Sequence, residues 1–357
     1  MWKENTLIQR LRIRFPIIQA PMAGVSMPQL VAAVSNAGGL GSLGAAYLSP
    51  LEIKEAIDEI RSLTDQPFAV NLFARENIEK DETLIQKADQ HLNKYRTMLG
   101  IPSVPSTARL PELESQIEAI CREKVPIFSF TFGILDEQIM AQIKRQDTFV
   151  IGTATTLDEA LLLQKSGVDA IVAQGYEAGG HRGAFDKSRS DPCLGTFALL
   201  SQIVQACKLP VIAAGGIMNG KGIAAAMALG ARAAQLGTAF LATPESQASA
   251  TYKQALLQLK TRRTIVTSLL TGKPARMIEN EFTRQMQNDL PQIAPFPYQH
   301  YLTKGIRTVA DKQNLFEWLS LYAGQGFPLA SNRPTAEIIP LLVQQTIQAI
   351  ENLHEKI

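Results

Sequence analysis

Cysteine is scarce in this chain: Cys121, Cys193 and Cys207 are the only three in 357 residues. An odd count at no metal-like spacing argues against a disulfide framework or a zinc cluster, and fits inert thiols in a reducing compartment. An excess of one charge is missing too. The 35 basic and 33 acidic residues leave a net charge of +2, scattered along the chain, with no electrostatic footprint for nucleic acid. No apolar run approaches the roughly 18 residues that a membrane span needs. The opening Met1-Trp2-Lys3-Glu4-Asn5 has no apolar signal core. The expectation is a cytoplasmic protein that binds neither nucleic acid nor membrane. No G-x-x-x-x-G-K-[ST] stretch and no G-x-S-x-G elbow occurs, which sets aside P-loop and Ser-His-Asp hydrolase readings.

What the chain does have is a repeated pattern. With 46% hydrophobic residues it can bury a large core, as two domains or as one large α/β barrel. Three times a helical stretch ends at glycine and an apolar strand follows: residues 30–39 then 40–44, 160–167 then 168–175, and 224–230 then 231–237. Further strands read at 16–20, 67–72, 126–131, 148–152 and 210–214, which makes eight. Continuous apolar strands alternating with helices imply a parallel sheet buried on both faces, and eight of them predict a (β/α)8 TIM barrel.

Two stretches break the barrel period. Residues 74–111 carry a charged amphipathic helix, with Leu84, Ala88, Leu92 and Tyr95 on one side, and then Pro102, Pro105 and Pro111. Residues 243–334 form a long, mainly helical insertion with Pro291, Pro295 and Pro297. The helix from Ala336 to Leu353 would close the fold. The expected division is a barrel of 1–242 plus 335–357, with 243–334 a lid over its C-terminal face.

Gln174-Gly175-Tyr176-Glu177-Ala178-Gly179-Gly180-His181 follows the strand-like Ala170-Ile171-Val172-Ala173. Its glycines let the backbone pass close to a flat ligand, and a titratable imidazole at a barrel strand's C-terminal end is placed for catalysis. His91, His300 and His354 lie in polar or helical contexts, so His181 is the candidate catalytic residue. It has no second histidine at ligand spacing, so no metal site is expected. Gly215-Gly216 and Gln235-Leu236-Gly237-Thr238 end two strands and precede helices, where free amides bind phosphate; Asn219-Gly220-Lys221-Gly222 extends that surface. The plainer reading is tight βα turns, but two such loops at adjacent strand ends favour phosphate. A phosphate-bearing cofactor with a flat ring beside one histidine points to flavin mononucleotide, FMN.

Five segments then resemble one family in order: Gln19-Ala20-Pro21-Met22-Ala23-Gly24-Val25-Ser26, residues 35–42, Asn71-Leu72-Phe73, residues 173–183, and residues 235–238. From about residue 15 to 242 the chain resembles the nitronate monooxygenases, and the Gln174–Gly183 run looks like their class I branch. The resemblance implies that Ala20, Pro21 and Met22 line the flavin ring and that Asn71, Gln174 and Gly179 contact it. Gly180 and Gly215 complete the same glycine walls. Gly216 and Gln235, Leu236, Gly237 and Thr238 would hold the phosphate. Thr131 stands where class I members often carry a histidine, a departure that bears on substrate preference. Tyr298, Tyr301 and Lys304, three residues apart, are the substrate-contact candidates, against a plain packing role. Trp318 and Tyr322 read as core.

The implied reaction converts alkyl nitronates, such as propionate 3-nitronate, with O2 to carbonyl compounds and nitrite, electrons passing from nitronate to flavin. The expected partners are a small nitronate or nitroalkane and O2, with a homodimer allowed. The alternatives are an FMN- and NADH-dependent enoyl-thioester reductase acting on an acyl carrier protein, an NADH:quinone reductase, and an IMP dehydrogenase-like barrel. No cysteine in 174–186 supports the last.

Overall fold

A computed structural model describes residues 4–74, 80–101, 110–185, 190–289 and 292–355. Eleven strands follow in chain order: β1 Ile17–Gln19, β2 Gly41–Gly44, β3 Phe68–Phe73, β4 Ile127–Thr131, β5 Phe149–Ala154, β6 Ala170–Gln174, β7 Gly180–His181, β8 Val211–Ala214, β9 Ala233–Leu236, β10 Thr264–Thr267 and β11 Ala275–Ile278. Eight of them form one parallel sheet in the order β1-β9-β8-β6-β5-β4-β3-β2. Each neighbouring pair is in parallel register. The sheet closes on itself where Ile18 bridges Leu40. There the Gln19 amide donates to the Leu40 carbonyl and the Leu40 amide to Ile17, both at 2.9 Å. Buried Gln19 seals the seam: its Oε1 accepts from the Ser42 amide at 2.9 Å. The eight strands expected from the sequence are the eight barrel strands.

Alternation along each strand divides the core. One face of the strands packs on the surrounding helices, as with Leu43, Val70, Phe128, Phe130 and Ile171. The other fills the barrel floor with Ile18, Leu40, Ala69, Ile127, Ile151, Val172 and Ile212. Leu7, Ile8 and Leu11 of the helix Thr6–Leu11 join that floor, so the amino-terminal helix plugs the end opposite the site. The helix Thr335–His354 seats on Gly220–Ala228, where a Cβ on Gly220 would lie 2.3 Å from the Thr346 amide nitrogen.

One motif escaped the sequence reading. Gly39, Gly41 and Gly44 have the G-x-G-x-x-G spacing of a dinucleotide fingerprint. That fingerprint needs its glycines in the turn between strand and helix, whereas Gly41 and Gly44 lie within β2. A Cβ on Gly41 would fall 2.0 Å from the Val31 carbonyl oxygen, so this glycine lets the helix Pro28–Asn36 press on the sheet.

The two irregular stretches pack together. Ala88, Leu92 and Tyr95 of the helix Glu82–Met98 share a second core with Phe282, Met286, Leu302, Ile306 and Trp318 of the insertion. Arg96 adds a bond to the Leu302 carbonyl. The insertion is not helical throughout: β10 and β11 form an antiparallel hairpin, and β11 pairs with β7. Pro102, Pro105 and Pro291 lie outside the described residues, while Trp318 is buried as expected. Leu92 is fully buried in the shared core. Leu92→Ala should therefore lower stability by about 2–5 kcal/mol in chemical denaturation. A loss under about 1 kcal/mol would mean that this helix is not part of that core.

Candidate functional site

At the C-terminal ends of the barrel strands lies a cavity of about 290 Å³, roofed by the insertion. His181, Ala20, Pro21, Met22, Asn71, Gln174, Gly179, Gly180, Gly215, Gly216, Gln235, Gly237 and Thr238 all line it, as does Thr131. Leu236 does not. It alternates with Gln235 along β9, so its side chain turns into the helix-facing core and is 1% exposed.

The loop after β6 is locked from within. Arg182, 1% exposed, donates to the carbonyls of Gln174 and Gly175 and pairs with Asp191 at 2.7 Å. The Gln174 amide donates to the His181 carbonyl at 3.1 Å and its oxygen accepts from the Gly183 amide at 2.8 Å. Glu177 accepts from the Thr196 amide and hydroxyl, which places a carboxylate at the start of the helix Thr196–Ala206. A Cβ on Gly179 would lie 2.4 Å from the Gly324 amide nitrogen, so only glycine lets the insertion approach this closely.

The two glycine loops expected to bind phosphate keep part of their expected form. Gly215 and Gly216 adopt φ of 119° and 71°, a region that side-chain-bearing residues avoid. Among the described residues the amides of Gly216 and Gly237 have no hydrogen-bond acceptor, which leaves two donors for a ligand. A Cβ on Gly237 would fill the cradle, meeting Ala20 Cβ at 3.4 Å and Met22 Sδ at 3.6 Å. The segment Asn219–Gly222 is a correction. Asn219 Oδ1 caps the Gly222 amide at 3.0 Å and Gln345 takes the Gly220 amide at 3.0 Å, so neither of these amides is left for a ligand.

His181 is positioned by backbone and by hydrogen bond. Its strand pairs antiparallel with β11, with Ala275 opposite His181. Its Nε2 lies 3.0 Å from Thr271 Oγ1. That hydroxyl is also 3.0 Å from the Lys273 carbonyl, which can only accept. The single hydroxyl proton goes to the carbonyl, so His181 Nε2–H donates and Nδ1 is the basic nitrogen. The ring packs against Phe132, Phe296 and Tyr322 at 5.8–5.9 Å. Buried Lys273 sits 3.7 Å over the Phe132 ring, and burial lowers its ammonium to about 7.

Tyr298, Tyr301 and Lys304 lie outside the cavity lining, and Lys304 is exposed. Three-residue steps on a helix slip by about 60° each, so these three do not share a face. A seven-residue step returns nearly to the start, and it is His300 and Arg307 of the helix Tyr298–Lys312 that face the cavity. That spacing was the available signal. Tyr47 and Tyr322 also line the site, Tyr322 while packing on the second core as expected, and neither stands in a motif that could have flagged it.

His300 stacks on Tyr47 at 4.8 Å and 7° between planes. Arg307 Nη2 donates to the His300 carbonyl at 2.8 Å and approaches its Nδ1 at 3.3 Å. Arginine only donates, so Nδ1 accepts and the neutral ring carries its proton on Nε2. Burial first, and the Arg307 charge second, push His300 down to about 2. Burial raises the phenols of Tyr47 and Tyr322 and lowers Arg307.

A barrel with such a cavity at its strand ends belongs to the broad class of (β/α)8 enzymes. Within that class the chain belongs to the nitronate monooxygenase family, whose model, described as nitronate monooxygenase, matches residues 4–345. It is an oxidoreductase of that family. It is 42% identical over 348 residues to a probable nitronate monooxygenase of Staphylococcus haemolyticus, covering 97% of this chain and 98% of the relative. It superposes on a nitroalkane oxidase from Streptomyces ansochromogenes with a TM-score of 0.91 at 38% identity, covering 97% of this chain and 99% of that one. FabK from Thermotoga maritima follows at 0.78 and 29%, with 99% of both chains covered.

A group whose pKa falls on folding binds its proton first in the unfolded chain, so it removes stability as pH drops below about 6.5. His300→Gln should therefore lose less stability than the parent between pH 6.5 and 5, by up to about 1.4 kcal/mol per pH unit. Parallel denaturation curves across that range would show that His300 titrates normally.

Proposed function

We propose that this protein binds FMN and oxidises alkyl nitronates, such as propionate 3-nitronate, with O2 to carbonyl compounds and nitrite. Family membership and the closer fit to a nitroalkane oxidase than to FabK support that reading. The single observation that carries it is the lining itself: twelve of the thirteen expected cofactor residues and His181 surround one cavity.

The residues present fit a flavin phosphate and ring. Free amides at Gly216 and Gly237 would take phosphate oxygens, and the Ala20–Met22 segment with Gly179 and Gly180 would flank the ring. When bound, the flavin supplies the acceptor for the substrate's electrons. The chain's own part is to position the substrate, exclude water and move a proton. His181 Nδ1 takes the α-proton of a neutral nitroalkane, while Thr271 holds Nε2–H and with it the ring. A preformed nitronate has already lost that proton. Residues 243–334, joined by the helix Glu82–Met98, act in this reading as the lid that keeps the reaction from bulk water.

Denaturing the purified protein should release FMN, identified by chromatography, and not FAD. His181→Asn should lower turnover of neutral nitroalkane by about 10²-fold or more and that of nitronate much less. Equal losses on the two substrates would make His181 a binding group and not the base.

A further inference from the structure

Arg307 is the one fixed charge among the described residues of the cavity wall, which include no Asp, Glu or Lys. Its neighbours among the described residues do not neutralise it. The groups whose fields reach it are the phenols of Tyr47 and Tyr322, which burial keeps protonated. His300 is held neutral and accepts from the guanidinium. Nor do the bonds of Arg307 serve the helix. They run to the carbonyls of His300 and Thr303, inside the helix Tyr298–Lys312, where intrahelical amides already satisfy such carbonyls. These bonds fix the guanidinium, and Tyr47 stacked on His300 fixes the partner it leans on. A half-buried charge with no opposite charge among the described residues of the wall is costly until a ligand supplies one.

We propose that Arg307 is the residue that recognises the substrate as an anion, its planar guanidinium facing the planar two-oxygen group of a nitronate or of a carboxylate of the same shape. The Tyr47 and Tyr322 hydroxyls stand beside it in the same wall as neutral donors. The enzyme thereby selects the nitronate over its uncharged parent nitroalkane. Planar, two-pronged recognition of this kind suits arginine and not lysine. This inference rests on the nitronate-oxidising reading of the same cavity.

The probes are propionate, as an unreactive planar anion, and the pair ethyl nitronate and nitroethane. Propionate binding is read by titration calorimetry in the flavin-loaded protein and in its Arg307→Met and Arg307→Gln variants. The charge-free variants should weaken propionate and raise the KM for ethyl nitronate, each by about 10²-fold, the usual cost of removing one partner of a buried charge pair. The KM for nitroethane should stay within about threefold. Arg307→Lys should fall between the parent and these variants. Arg307→Gln keeps a donor for the helix carbonyls and decides the matter should Arg307→Met fail to fold. Unchanged propionate affinity in Arg307→Gln, or equal losses on nitronate and nitroethane, would overturn the proposal. Propionate binding through Arg307 in a protein that releases no nitrite from nitronate would overturn the functional reading and leave the anion site standing.

Discussion

The site depends on one short piece of backbone pairing. Gly180 and His181, on the loop after a barrel strand, form a ladder with Ala275 and Arg276 of the insertion hairpin. Beside it Arg276 Nε donates to the Tyr176 carbonyl and the Gln325 amide to the Glu177 carbonyl, both at 2.9 Å, so the loop is tied to the insertion along its length. With the ladder the imidazole is carried on a strand paired to Ala275–Ile278, which pairs on its other side with Thr264–Thr267 in the insertion hairpin. Thr271, between the two hairpin strands, then sets the imidazole's tautomer. The same contact region holds the close backbone approach of Gly179 to Gly324, which no side chain would allow.

The cavity is asymmetric in chemistry as well as in origin. Barrel loops contribute glycines, small apolar groups and free amides, a surface suited to a flat phosphate-bearing group. The roof contributes Tyr252, His300, Arg307 and Tyr322, among them the one fixed charge of the described lining. A neutral His300 is as informative as a charged one would be. Its depressed affinity for protons leaves the positive charge of that wall to Arg307. Thr131, small and packed near Gly183, helps keep the opposite wall narrow: a Cβ there would meet its Oγ1 at 2.8 Å.

Legibility in the sequence followed the range of the forces involved. Strand and helix identity is local, so the period of the apolar residues and the terminal glycines were enough to locate all eight barrel strands. Glycine-walled loops are legible for the same reason, and they lead to Gly215, Gly216 and Gly237. Leu236 fell outside the cavity because a four-residue motif was read as one surface, although a strand turns alternate residues to opposite faces. Tyr298, Tyr301 and Lys304 miss the cavity by helical drift, and His300 and Arg307 occupy the face beside them. The hairpin, the union of the helix Glu82–Met98 with the insertion, and Tyr322 all rest on contacts between distant segments. No periodicity in one segment records such a contact.

The central claim is that this cavity passes electrons from a nitronate to a bound flavin. The most direct measurement is an anaerobic titration of the purified protein with ethyl nitronate, and separately with NADH, followed by the visible absorbance of the flavin. The account predicts bleaching by nitronate, return of colour on admission of O2, and little or no bleaching by NADH. Rapid bleaching by NADH with no response to nitronate would contradict it.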